Sequence, residues 1–238
     1  MPQLDDLRPC CENGKFEMVK NSNISIKGSL FFFTVMVVCS FEIAAGLAYQ
    51  AINISPVFLT GIVRLTETFV ILYYTFRIDG HFRSLGCEKK QILPGIYYGC
   101  LWSLCFGVIV FTIFFSWHLI LNINLFRLIR MPVPDTIIAQ IMYFCVGCII
   151  GPLTEELVFR GVVYGFFRQW GIAMACFWST IIFVLLHNNA PALPITQIIG
   201  GLVFAFSYEY SKMLATPLTI HVLGNSCMAF LSYLPITG

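Results

Sequence analysis

The sequence predicts an all-α, polytopic transmembrane helical bundle, and three observations carry that expectation. Of the 238 residues, 58% are hydrophobic and only 11% are charged, against about 25% charged in an ordinary soluble domain. Mean hydropathy is +0.82. Apolar runs of the roughly 20 residues needed to cross a bilayer recur along almost the whole chain. A formal net charge of +2, with no basic stretch interleaved with aromatics, gives no footprint for nucleic acid. The partner to expect from composition alone is a lipid bilayer.

Taken in order, residues 1–27 are polar and of mixed charge, with Arg8, Lys15, Lys20 and Lys27, and read as a soluble N-terminal tail. Apolar runs follow at about 28–50, 56–76, 93–120, 136–158, 171–189, 192–210 and 213–234, which makes about seven spans, within a range of six to eight. Residues 121–135, with Arg127 and Arg130 three apart, read as an interfacial segment. The chain therefore divides into the tail (1–27), N-terminal transmembrane helices with the interfacial segment (28–135), and a C-terminal core of four helices (136–238). The first apolar run follows a long polar tail and exceeds a signal-peptide core, so no cleavable signal is expected. Basic residues fall mainly in the tail and in loop 77–91 (Arg77, Arg83, Lys89, Lys90), joined by Arg160, Arg168 and Lys212. By the positive-inside rule the N-terminus is cytoplasmic and the C-terminus lies outside.

Most of the ten cysteines lie inside apolar runs, where Cys packs as a small hydrophobe. Cys145 and Cys148 have redox or zinc spacing but no second pair, and packing is the expected role. Arg64 and Glu67, three apart at membrane depth, are expected to neutralise each other, with a gating role as the alternative; Glu42 is a third charge at that depth. His118, near the end of a span, is expected to snorkel to the interface.

The organising stretch is Gly151-Pro-Leu-Thr-Glu155-Glu156-Leu-Val-Phe-Arg160-Gly161. An ionisable group at such depth costs about 2.5–3.5 kcal/mol on insertion scales and so marks function. On a helix, neighbours differ by about 100°, so the two glutamates cannot share a face. Glu156 and Arg160, four apart, can pair. Glu155 is then aimed elsewhere, with no neutralising partner on its own helix. Three further polar groups lie in the later spans: His187, ending Phe183-Val-Leu-Leu-His187, and His221 with Asn225, four apart on one face. A hairpin turning near Trp170-Gly171 places Glu155 and His187 each about 16 residues, or about 24 Å, from the turn, at matching height. Gly161, Gly165, Gly200, Gly201 and Gly224 permit close helix approach there.

A carboxylate, two imidazoles and an amide in a dry cavity suit water activation. Glu155 is placed as general base. His187 holds the water or passes its proton to the leaving amine, and His221 and Asn225 donate to the developing oxyanion. The alternative is a polar network that only fixes helix packing.

With these residues in view, the sequence resembles the glutamate intramembrane proteases of the CPBP group (CAAX proteases and bacteriocin-processing enzymes, also called Abi proteins). The motifs EExxxR, FxxxH and HxxxN/D stand in order as Glu155-Glu156-xxx-Arg160, Phe183-xxx-His187 and His221-xxx-Asn225, and the resemblance covers about residues 136–238. It implies an intramembrane endopeptidase in which Glu155 and His187 activate water, His221 and Asn225 form the oxyanion site, and Glu156, Arg160 and Phe183 support the structure. The implied substrate is a membrane-anchored protein or peptide cut near its C-terminus or anchor, and no cofactor is implied.

Rival classes remain. A zinc-dependent membrane protease could use the same Glu, His and His, although no H-E-x-x-H is present and Asn is a poor zinc ligand. Asp5, Asp6, Asp79 and Asp135 are the only aspartates and none is mid-span, which removes the aspartyl type. No Gly-x-Ser-x-Gly is present, and Ser226 faces away from Asn225. A transporter would be expected to show repeats, and none is visible. A non-catalytic immunity or binding protein using the same cavity is the alternative from outside enzymology.

Overall fold

The computed structural model describes residues 26–122, 125, 129–131, 133–187 and 194–233, and the backbone of 7–12 and 15–20. The polar tail contains an antiparallel strand pair, β1 (Leu7–Glu12) with β2 (Lys15–Lys20), paired from Leu7 opposite Lys20 to Glu12 opposite Lys15. This hairpin is an addition to the all-α expectation. All other regular secondary structure among the described residues is helical.

Among the described residues seven longer helices follow: α1 (Gly28–Ala51), α2 (Pro56–Asp79), α3 (Lys89–Leu121), α4 (Ile137–Trp170), α5 (Ile172–His187), α6 (Ile195–Ser211) and α7 (Ala215–Tyr233). The first four are long and apolar enough to cross a bilayer. At 16, 17 and 19 residues, α5, α6 and α7 are shorter. The expected spans thus each find a helix, with one adjustment: the fourth does not end near 158 but continues to Trp170. Of the proposed interfacial segment, residues 123–124, 126–128 and 132, Arg127 among them, lie outside the described residues.

The polarity of the bundle is inverted relative to a soluble protein. Leu93 and Ile120 are 78% exposed, while Glu67, Glu156 and Arg160 are fully buried. Apolar side chains facing outward and paired charges facing inward are what a hydrocarbon solvent selects. The molecule is an integral membrane protein.

Local chemistry sets the helix ends. Pro56 opens α2 at its first turn, where a missing N–H costs nothing. Glu88 and Gln91 form a reciprocal capping box at the start of α3, and the Thr136 side chain accepts from Ala139 N at the start of α4. Between α4 and α5 the chain reverses at Gly171, whose φ of +107° is open to glycine and strained for other residues.

Helix α4 is the hub. Its segment Leu157–Tyr164 is entirely buried, and α1, α2, α5 and α6 all pack on it. Two stretches, Cys145–Ile150 and Leu157–Tyr164, are wound as π-helix, a rare winding that recurs at functional sites. The short turn Arg83–Leu85 packs beneath it: Leu85 is fully buried, and a Cβ on Gly161 would stand 3.2 Å from Leu85 Cδ2. On the other side, Gly201 brings α6 against α5, since a Cβ there would stand 2.8 Å from Thr180 Cγ2.

Candidate active site

The two glutamates of α4 separate as helical geometry requires, and His221 of α7 reaches both. Its Nδ1 lies 2.7 Å from Glu156 Oε1 and its Nε2 3.6 Å from Glu155 Oε2. His187, the last residue of α5, places Nε2 3.5 Å from Glu155 Oε1. Each oxygen of the Glu155 carboxylate therefore faces one imidazole. The matching heights expected for Glu155 and His187 across the Gly171 turn are met in this contact.

Both rings are oriented by what their other nitrogen does. His187 Nδ1 is 2.8 Å from the Phe183 carbonyl, which can only accept, so that nitrogen carries the hydrogen and Nε2 is left to face Glu155. His221 Nδ1 donates to the Glu156 carboxylate. The four-residue spacings Phe183–His187 on α5 and Glu156–Arg160 on α4 are each used along the face of their own helix. Ring faces finish the job of orientation: Phe183 lies 4.3 Å from His187, and Phe204 of α6 stacks on His221 at 4.5 Å and 20°.

Arg160 is fully buried, and a buried guanidinium must be compensated. Nη1 donates to Glu156 Oε1 at 3.1 Å and Nη2 to the Gly201 carbonyl at 3.3 Å. The guanidinium carbon also lies 4.9 Å and 5.0 Å from the ring centroids of Phe183 and Phe204, within cation–π range. Glu156 consequently holds Arg160 and His221 through the same oxygen.

Asn225, expected to donate to the oxyanion, also has a partner within the fold. Its Nδ2 donates to the Gly147 carbonyl at 2.9 Å. That carbonyl is orphaned by the chain itself. Gly151 N–H goes to Val146 O across the π turn, and the next residue, Pro152, has no N–H to give. The amide of Asn225 supplies the missing donor, which leaves its second N–H for other work.

The N-terminal helices enter the site through Thr154, the residue before Glu155. Thr154 Oγ1 donates to the Arg64 carbonyl of α2 at 2.9 Å and meets Thr68 Oγ1 at 2.8 Å. Gly61 of the same helix makes room for Val146, whose Cγ2 would stand 2.9 Å from a Cβ there. Arg64 pairs with Glu67 at 2.8 Å, as its spacing predicts, and also with Glu42 of α1 at 2.6 Å.

Residues 136–227 match the family described as Type II CAAX prenyl endopeptidase Rce1-like. Two relatives agree. The membrane-embedded CAAX protease MroQ of Staphylococcus aureus (strain USA300) is 30% identical over 148 residues, 58% of this chain and 57% of the relative. The protein named membrane peptidase YdiL of Bacillus subtilis (strain 168) is 27% identical over 103 residues, 43% of this chain and 42% of the relative. These matches support the resemblance of residues 136–227 to the CPBP family. The chain spans about half the length of the curated relatives it matches, and no solved structure matches it.

All seven motif residues of the CPBP-like core are described, and the fold brings Glu155, Glu156, Arg160, Phe183, His187 and His221 into one connected cluster. Three residues that sequence reasoning did not single out also belong to it. Thr154 and Phe204 carry no spacing signal among so many apolar and hydroxylic neighbours. Pro152 was visible within the organising stretch, but its effect on Gly147 depends on the π winding, which no pattern announces. Among the described residues no group of three or more His, Cys, Asp or Glu side chains is arranged to hold a metal ion. Cys148 lies buried in the core, in keeping with a packing role.

Proposed function

We propose that the CPBP core is a glutamate-type intramembrane endopeptidase, acting on a membrane-anchored protein or peptide near its C-terminus or anchor. The observation that carries this reading is the pair of imidazole Nε2 atoms, 3.5 and 3.6 Å from the two oxygens of Glu155. A water seated against Glu155 has an acceptor for its proton on one side. The scissile carbonyl then takes its place on the other. Glu155 removes the proton as oxygen attacks the carbonyl carbon, and His187 relays a proton to the departing amine as the carbon–nitrogen bond breaks. A proton on Nε2 of His221 makes it a donor to the developing oxyanion, with Glu156 balancing the charge on the ring. The second N–H of Asn225 is the other donor. The Arg160–Glu156 pair takes no part in bond making and sets where His221 points.

This reading requires no metal. Zinc chemistry at the same residues predicts that a chelator abolishes activity and that zinc restores it. A non-catalytic binding protein predicts that Glu155→Gln keeps most of its function. The relatives' names place CAAX processing nearby, yet orientation by the positive-inside rule puts Glu155 about 24 Å from the basic end of the bundle. The substrate favoured by that depth is an exported, membrane-tethered protein rather than a cytoplasmic prenyl-protein.

The deciding experiment compares cells carrying the wild-type chain, Glu155→Ala and Glu155→Gln, with membrane proteins quantified by mass spectrometry. Both variants are expected to fold, to lose at least about a thousandfold of activity, and to accumulate one or a few uncleaved membrane-anchored proteins. A membrane proteome identical in all three would overturn the reading.

A further inference from the structure

Arg64 is the charged residue near Glu155 that the motifs do not include, and it lies outside the matched segment 136–227. Its two carboxylate partners are unequal. Glu67, on the same helix, is fully buried and fixed, while Glu42, on α1, is 48% exposed. Among the described residues each partner engages one terminal nitrogen of the guanidinium. A planar group with five N–H donors therefore keeps donors to spare. The Arg64 side chain is itself 24% exposed, and its backbone is fixed to the residue preceding Glu155 by the Thr154 hydroxyl.

These facts describe a carboxylate site whose present occupant is exchangeable. We propose that Arg64 receives the free C-terminal carboxylate of the peptide substrate, which takes the place of the Glu42 carboxylate on the guanidinium. The inference rests on the reading of the Glu155 cavity as a peptide-hydrolysing site. The exchange is of like for like: the arriving carboxylate takes over the nitrogen that Glu42 holds, so the guanidinium keeps two carboxylate partners throughout, as a weakly polar site demands. Glu67 stays in place and keeps the guanidinium planar and presented, which suits two-point recognition of a carboxylate. Because an extended peptide advances about 3.3 Å per residue, a terminus held next to Glu155's own helix turn restricts cleavage to bonds a few residues from the end. In this view Arg64 is the residue that measures distance from the C-terminus, and Glu42 is the gatekeeper that keeps it occupied between substrates.

The test uses binding, so that it does not depend on turnover. The full chain carrying Glu155→Gln is placed in phosphatidylcholine nanodiscs and titrated with a dansyl-labelled, S-hexadecyl membrane-anchored peptide ending in a free carboxylate, and with the same peptide as its C-terminal amide. The acid is expected to bind at least about tenfold tighter than the amide. Adding Arg64→Gln should bring the two to equal affinity, and adding Glu42→Gln should tighten the acid alone by removing its competitor. The last result separates recognition from packing, since loss of a merely structural ion pair would not improve binding. Equal binding of acid and amide to the Glu155→Gln chain, a preference that survives Arg64→Gln, or no binding of either peptide would each overturn the proposal. A preference that vanishes when phosphatidylglycerol is added to the nanodiscs would assign Arg64 to a lipid headgroup and overturn it as well. None of these outcomes bears on whether Glu155 variants accumulate uncleaved proteins, so the hydrolytic reading stands or falls separately.

Discussion

At the scale of single residues, the arrangement turns on what a buried charge requires. Arg160 and Glu156 are both fully buried, and removing one partner of such a pair costs about 3–5 kcal/mol, while replacing both by neutral groups of similar shape is often close to neutral. Arg160→Met is therefore expected to destabilise the protein by about that amount. The double variant Glu156→Gln, Arg160→Met should recover most of it, since glutamine still offers an oxygen to His221 Nδ1. Reversible unfolding in mixed micelles measures both, and a double variant no more stable than Arg160→Met would show that the pair is not what holds this region. The i,i+4 pairing itself was legible from spacing alone. That Glu156 also orients His221 was not, because the contact joins residues 65 apart on different helices. Periodicity along one helix carries no information about which neighbour lies across from it.

At the scale of the element, α4 shows how a helix is bent to purpose by its own sequence and then repaired from outside. The π winding before Gly151 and the missing N–H of Pro152 together strand the Gly147 carbonyl, and Asn225 of α7 satisfies it. Leaving a buried acceptor unpaired costs about 1–3 kcal/mol, so Asn225→Ala should destabilise by that much. In the double variant Asn225→Ala, Pro152→Ala the new N–H of residue 152 can reach Gly147 O across the π turn, and most of the stability should return. Activity then separates two roles. If Asn225 also donates to the oxyanion, the double variant is stable and still slow; if it only mends the helix, activity returns with stability. Thermal unfolding and turnover on the same preparations measure the two. Helix existence was readable from the sequence, because long apolar runs in a membrane protein admit few other structures. The extension of α4 to Trp170 was harder to see: Arg160 and Arg168 interrupt the apolar run, yet one is buried against Glu156 and the other paired with Glu209. The β1–β2 hairpin had a sequence signal in Asn13-Gly14, but strands in a polar tail offer no buried face for alternation to reveal.

At the scale of the whole molecule, the basic residues gather at one end of the bundle, and that end is tied together. Lys27 pairs with Asp79 at 2.8 Å, Ser84 Oγ donates to the same aspartate at 3.0 Å, and Leu214 N donates to the Gly86 carbonyl at 2.8 Å. Glu209 there holds Arg168 at 3.0 Å as well as Lys212, and accepts from Tyr164 Oη at 2.6 Å. The start of α1, the end of α2, the start of α3, the α4–α5 turn and the α6–α7 turn thus share one layer, with Arg83, Lys89 and Lys90 beside it. The opposite layer holds the α3–α4 connection, where Ser232 Oγ accepts from Met131 N at 2.8 Å. By the positive-inside rule the basic layer is expected to be cytoplasmic, which would set Glu155 toward the outer half of a hydrocarbon core about 30 Å thick. Single cysteines introduced into a cysteine-free background test this directly. Gln169→Cys, exposed in the α4–α5 turn, should resist a membrane-impermeant maleimide added to intact cells, and Asp135→Cys, exposed at the start of α4, should react with it. The reverse pattern would bring the layer of Glu155 toward the cytoplasmic leaflet and turn the expected substrate from an exported protein to a cytoplasmic one, while leaving the contacts around Glu155 as they are.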